Sequence, residues 1–230
     1  MSAPAKPSGI AALTQARVAL GRSGQSLPTA ALLQFQLDHA RARDAVHAEL
    51  AAEGFAKAVG HEVIEVHSRA EDRATYLRRP DLGRRLRAED AERLPRAGGD
   101  LAIIVSDGLS APAVEEHAAP MVRALLARLE DWQIAPLVLA GQGRVAIGDE
   151  IGAALGTELA LVLIGERPGL SAPNSLGAYL TWAPKRGRLD SERNCVSNIR
   201  PPQAFPMRRR RTLSSGCCAR RSSGVSPARR

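Results

Sequence analysis

Leu101-Ala102-Ile103-Ile104-Val105-Ser106-Asp107-Gly108-Leu109-Ser110 is the stretch on which the fold turns. The apolar run Leu101–Val105 has no polar interruption, so neither side of its pleat is left for water. Such a run is the signature of a strand buried on both faces, as in a parallel sheet covered by helices. It stops at Ser106-Asp107-Gly108, and a long helix is expected from about Ala113 to Glu130, with Val114, Met121, Leu125 and Leu129 on one side. The same unit then repeats. Ile134 to Ala140 reads as a strand ending in Gly141-Gln142-Gly143-Arg144, followed by a helix from Ile147 to Leu155 that stops at Gly156. Leu159 to Ile164 is a third buried strand, ending in Gly165-Glu166-Arg167-Pro168-Gly169. Upstream, Val63 to Val66 is a short strand candidate, Arg79 to Gly83 a turn and Arg87 to Leu94 a helix; downstream, Leu176 to Trp182 is expected as an edge strand.

This alternation predicts an α/β fold: a Rossmann-like parallel sheet with flanking helices and right-handed crossovers, over residues 61–200. Ligands of such sheets sit beyond the carboxyl ends of the strands, where all three glycine-bearing loops fall. A small helical region, residues 13–60, precedes the sheet. Pro28 and Thr29 introduce its main helix, with Ala31, Leu32, Phe35, His39, Val46 and Leu50 at helical spacing and Arg41, Arg43, Asp44 and Glu49 mostly opposite. A segment of this kind packs on its own domain or on a partner.

The ends differ in composition. Residues 1–12 form a Pro/Ala/Ser tail expected to be disordered, with no apolar signal core or cleavage site. No apolar run reaches the roughly 18 residues of a membrane span, so a cytoplasmic protein with no membrane partner is expected. Residues 201–230 hold eight arginines and no acid, leaving 24 basic and 24 acidic residues before them; the net charge of +8 therefore belongs to the tail. A polycationic tail binds nucleic acid non-specifically whatever its origin, and this one lacks aromatic stacking partners, so no nucleic-acid partner is expected. Cys195 stands alone in the body and Cys217 and Cys218 are adjacent in the tail, with no zinc spacing, which suits a reducing compartment.

The candidate chemistry lies in loops, each with an ordinary alternative. Asp107 at a strand end is either part of a tight turn, with Ser110 capping the next helix, or a polar anchor for a cofactor's amides or ribose. Gly141-Gln142-Gly143-Arg144 lacks the third glycine and the lysine of a phosphate loop and reads as a plain β–α connection, though its small residues let backbone approach a large flat ligand. Glu166, in a loop whose glycines bracket opposite charges, either pairs with Arg167 or accepts hydrogen bonds at the sheet mouth. Cys195 is more simply a small packed side chain than a nucleophile. The five histidines form no H-x-x-x-H or H-E-x-x-H pattern, so no metal site is expected.

Taken together, seven ordered blocks resemble the light chain of ethanolamine ammonia-lyase. They are Arg17-Val18-Ala19-Leu20-Gly21-Arg22; Leu32-Leu33-Gln34-Phe35 with Asp38-His39-Ala40-Arg41; Tyr76 to Leu86; Ile104-Val105-Ser106-Asp107-Gly108-Leu109-Ser110; Gly143-Arg144-Val145; Leu163 to Leu170; and Arg193 to Ile199. The resemblance spans roughly Arg17 to Arg200. It implies a large-subunit partner built on a TIM barrel, with adenosylcobalamin held between the subunits and ethanolamine converted to acetaldehyde and ammonia by radical rearrangement. The family's cobalamin-contacting positions carry over to Val145, Glu166 and Cys195, with no catalytic residue on this chain. The D-x-H-x-x-G motif that replaces the cofactor's lower base is missing, so the resemblance implies cobalamin bound with its own base on cobalt. The resemblance leaves open whether a bacterial microcompartment encloses the enzyme.

The departure from the family pattern is Pro201 onward, where an apolar helix is expected and Arg208-Arg209-Arg210-Arg211 and Cys217-Cys218 stand instead. A shifted reading frame near Arg200 of a GC-rich gene accounts for the charge and the lost periodicity; the neighbouring frame should then encode an apolar helix. A chain without that helix would expose apolar sheet surface and be unstable or inactive. The alternative to the lyase subunit is a non-catalytic Rossmann-like module that binds nucleotide or acts as a scaffold, and the incomplete glycine pattern argues against it.

Overall fold

A computed structural model describes residues 9, 17, 18 and 20–200. The expectations for a disordered start at 1–12, a shifted frame and a disordered arginine-rich tail at 201–230 fall almost wholly outside the described residues. The elements run α1 (Thr29–His47), α2 (Ala52–Val59), β1 (Val63–His67), α3 (Arg73–Arg78), α4 (Pro80–Gly83), α5 (Ala88–Arg93), β2 (Leu101–Ser106), α6 (Ala111–Leu126), β3 (Leu137–Gly141), α7 (Ile147–Leu155), β4 (Leu159–Gly165), β5 (Leu176–Trp182) and β6 (Arg193–Ile199).

The strands form one sheet in the order β1-β3-β2-β4-β5-β6. β1, β3, β2 and β4 are parallel, whereas β5 and β6 run antiparallel to their neighbours. The fold is therefore mixed α/β with flanking helices, and the expected all-parallel, Rossmann-like sheet is corrected to a partly antiparallel one. The cause is connection length. A parallel return needs a crossover of a dozen or more residues, usually a helix. Residues 166–175 and 183–192 are shorter than that and contain only turns and one short 3-10 segment, so the chain folds back beside itself each time. Leu176–Trp182 is a strand with the expected bounds but is interior, because β6 covers its outer side.

Helices cover both faces, and the strands' period-2 geometry sorts the core accordingly. Leu101, Ile103 and Val105 of β2 join Val114, Met121 and Leu125 of α6 and Phe55 and Val59 of α2. Ala102 and Ile104 face the other way, onto Ile147, Ile151 and Leu155 of α7. The low aromatic content is thus met by aliphatic packing. The first helix behaves differently. α1 buries only Ala45, and Leu32, Leu33, Phe35 and Leu37 remain exposed, so its apolar residues do not pack on the chain's own core. No helix among the described residues is long and apolar enough to cross a membrane.

Candidate ligand groove at the mouth of the sheet

β2 and β4 are neighbours whose connections leave in opposite directions, since α6 leads from β2 to β3 on one side and β4 leads to β5 on the other. Such a switch point opens a crevice at the carboxyl ends of the strands. Here the loops after Ser106 and Gly165 meet, with Leu109 N donating to Gly165 O at 2.9 Å. Beside them opens a groove of about 540 Å³ lined by Tyr76, Gly108, Leu109, Ile164, Glu166 and Asn198, among others. A smaller lobe of about 360 Å³ is lined by Pro80, Arg84, Asp190, Arg193 and Cys195. Arg144, Val145 and Tyr179 line both lobes, which therefore adjoin along these side chains.

A buried polar network fixes the rim. Arg73 Nη1 donates to Asp107 Oδ2 at 2.9 Å, to Gly108 O at 2.9 Å and to Gln142 Oε1 at 3.3 Å, while its Nε donates to Val46 O at 2.7 Å. One guanidinium thus ties the loops after β2 and β3 to the end of α1. The other oxygen of Asp107 accepts from Gly108 N at 3.0 Å and from Gly143 N and Ser106 Oγ at 3.3 Å. Tyr76 donates its hydroxyl to Gly143 O at 3.0 Å. Burial drives its phenol well above the usual tyrosine range, so it stays a neutral donor. The loop after β3 accepts a left-handed backbone at Gln142, φ 55°, and a side chain at Gly143 would meet Ser106 Oγ at 2.5 Å.

The three residues singled out from sequence converge on this groove. Val145 lies just before α7 and lines both lobes, Glu166 follows β4 in the larger lobe, and Cys195 stands in the smaller one. Cys195 is not in a loop, as its polar neighbours suggested, but in β6, opposite Tyr179 of β5. Its thiol is raised above the usual cysteine range by partial burial, with Glu166 adding to this and a hydrogen bond from the Tyr179 hydroxyl opposing it. The Tyr179 phenol is pushed up to about 12, chiefly by burial. Glu166 Oε2 accepts from Asn198 N at 3.0 Å, so its carboxylate ties its loop to β6 and is not paired with Arg167. Asp107 is 2% exposed and wholly occupied within the protein, which overturns its reading as a ligand anchor and leaves the turn. Ser110 does cap α6, accepting from Ala113 N at 3.3 Å.

Sequence reasoning missed Tyr76, Tyr179, Asn198 and the side chain of Arg144 as groove residues. One signal was available: the chain has only two tyrosines, and both line the groove. Asn198 gave none, because its place depends on a strand that was not foreseen.

Sheet and groove define an α/β protein with a two-lobed groove at its sheet's carboxyl edge, held open by glycine loops and a buried arginine–aspartate pair. The model of the ethanolamine ammonia-lyase light chain, EutC, matches residues 5–226. The ethanolamine ammonia-lyase small subunit of Rhodopseudomonas palustris is 58% identical, over 82% of this chain and 76% of its own length. That of Azotobacter vinelandii is 52% identical, over 93% of this chain and 84% of its own. That of Pseudomonas syringae pv. tomato is 50% identical, over 98% and 84% respectively. The chain belongs to the ethanolamine ammonia-lyase light-chain family.

Proposed function

We propose that this chain holds adenosylcobalamin in the two-lobed groove, at a surface shared with the large subunit, for the conversion of ethanolamine to acetaldehyde and ammonia. The observation that carries this reading is convergence. Val145, Glu166 and Cys195, the positions matched to the family's cobalamin contacts, come from three separate elements and line two adjoining lobes. The lining also suits the group. Leu109, Ile164 and Val145 offer apolar surface to a corrin ring. Glu166 and Asn198 offer acceptors and donors to peripheral amides, and Arg144 offers a cation.

When bound, the cofactor supplies the radical through its cobalt–carbon bond. This chain's residues do the holding. Glu166 retains a free oxygen beside the one that accepts from Asn198 and takes amide N–H donors. Val145 packs against the ring and excludes water. Cys195 and Tyr179, whose ionisations burial moves further above physiological pH, add no charge beside the macrocycle. The complex works in the cytoplasm, whether free or inside a microcompartment.

The test uses the complex reconstituted with the large subunit. Val145→Trp, Glu166→Lys and Cys195→Trp, combined, should weaken cobalamin binding more than tenfold, read by the cofactor's absorbance. Acetaldehyde release should require both this chain and adenosylcobalamin. Undiminished affinity in the triple variant refutes the reading.

A further inference from the structure

The groove's cations are not equivalent. Arg193 is saturated, with both Nη atoms on Asp149 at 2.6 and 2.7 Å and Nη1 also on Thr181 Oγ1 at 2.9 Å. Arg84 faces Asp190 at 3.7 Å, and Arg167 borders only the larger lobe, from an exposed loop position. Arg144 has no carboxylate within ion-pairing distance among the described residues. Its guanidinium lies 4.3 Å from the centre of the Tyr76 ring, Nη2 makes one long hydrogen bond to Tyr76 O at 3.4 Å, and Nε is buried without an acceptor. The backbone is fixed as well, since Arg144 N donates to Gly83 O at 2.7 Å.

A partly buried cation without a counter-charge is costly to hold. An aromatic face offsets only part of that cost, and the restricted geometry leaves little side-chain freedom to lose on binding. Two further facts place it in the groove. Arg144 borders both lobes. Ala146, at the start of α7, lines the smaller lobe beside it.

We propose that Arg144 is the anion-recognising residue of the groove and takes the phosphodiester of the cobalamin nucleotide arm where the two lobes meet. This rests on the corrinoid reading above. The amides that fringe the corrin are neutral and need no cation, whereas the phosphodiester carries a charge whose planar pair of oxygens matches a guanidinium fork.

Cobinamide phosphate and cobinamide differ by the phosphate alone, so their affinities for the reconstituted complex, followed by absorbance, isolate its contribution. The wild-type complex should bind the phosphate form about tenfold or more tightly, as for a charge-assisted hydrogen bond. Arg144→Gln should erase that difference while leaving cobinamide affinity within about twofold, and Arg144→Lys should keep part of it. A wild-type complex with no preference overturns the assignment, as does an undiminished preference in Arg144→Gln. Equal loss of both ligands by Arg144→Gln with unchanged circular dichroism also overturns it, because the residue then only shapes the groove. Should Arg144→Gln fail to fold, a preference that Arg144→Lys reduces supports the assignment, and one that Arg144→Lys leaves undiminished overturns it. Failure of the corrinoid reading looks different: the wild-type complex would bind neither compound, nor cobalamin.

Discussion

Arg73 Nη1 lies 2.9 Å from Asp107 Oδ2, with the two side chains 6% and 2% exposed, and this pair joins a short helix after β1 to the end of β2. Burying a charge pair gains little over apolar packing, but removing one member leaves the other uncompensated in a low-dielectric site. Asp107 also receives two backbone N–H groups, which would lose their acceptor. Asp107→Ala should therefore destabilise the protein by about 3–5 kcal/mol, measured as a shift in denaturant midpoint at constant slope. A loss below about 1 kcal/mol would show that the pair behaves like a surface ion pair and that the rim is held by other contacts.

Two glycines should respond in opposite directions to the same substitution. Gly108 has φ +55°, and a side chain there would run into the carbonyl oxygen of Gly165 and Ile164. Gly108→Ala forces the β2 and β4 loops apart and should cost roughly 3 kcal/mol, as strain in a left-handed position adds to overpacking. Gly54 lies inside α2, and a side chain there meets nothing within 4 Å. Gly54→Ala should stabilise by about 0.5–1 kcal/mol, since alanine loses less backbone freedom in a helix. Thermal unfolding of the two variants checks both signs at once.

How far these features were readable from residues alone follows from where their energy comes from. β2 and β4 are buried on both faces, so their side chains are apolar up to Val105 and Ile164 and their bounds fall within one residue of the sequence expectation. β6 is the opposite case. Ile199 is the one buried apolar residue of its seven, and the strand exists because its backbone pairs with β5, so Arg193 to Asn198 show no apolar alternation. Glycines marked the groove's loops because close backbone approach leaves a trace in composition. Arg73 left none and Tyr76 only its rarity: their roles arise from partners that lie 34 residues away at Asp107 and 67 away at Gly143.

Cys195 supplies a test in pH. Partial burial raises its thiol, so the reactive thiolate forms at higher pH than in a free cysteine. Alkylation by iodoacetamide should therefore rise with pH but reach half its maximal rate above the usual thiol range of about 8.5. Peptide mass spectrometry separates it from Cys217 and Cys218. A midpoint below that of free cysteine would mean that the hydrogen bond from Tyr179 outweighs burial.

The bridge between Arg193 and Asp149 should control how β6 is seated on the rest of the sheet. The side chains are 2% and 3% exposed and meet through two short hydrogen bonds. Arg193 also donates to Thr181 Oγ1 of β5 and to Arg188 O. The guanidinium thus fastens the outermost strand to the first turn of α7 and to the loop that precedes it. Lysine cannot span both carboxylate oxygens and these acceptors with a single ammonium. Arg193→Lys should therefore destabilise the protein, by about 1–2 kcal/mol. Arg193→Leu, which strands Asp149, should cost about 3–5 kcal/mol. Combining Arg193→Leu with Asp149→Leu should recover more than half of that loss, because no charge is then left buried. Hydrogen exchange gives the location: amides of residues 193–199 should lose protection in Arg193→Leu before those of Leu101–Ser106. Equal loss in both strands would mean that the bridge holds up the whole sheet and not its edge.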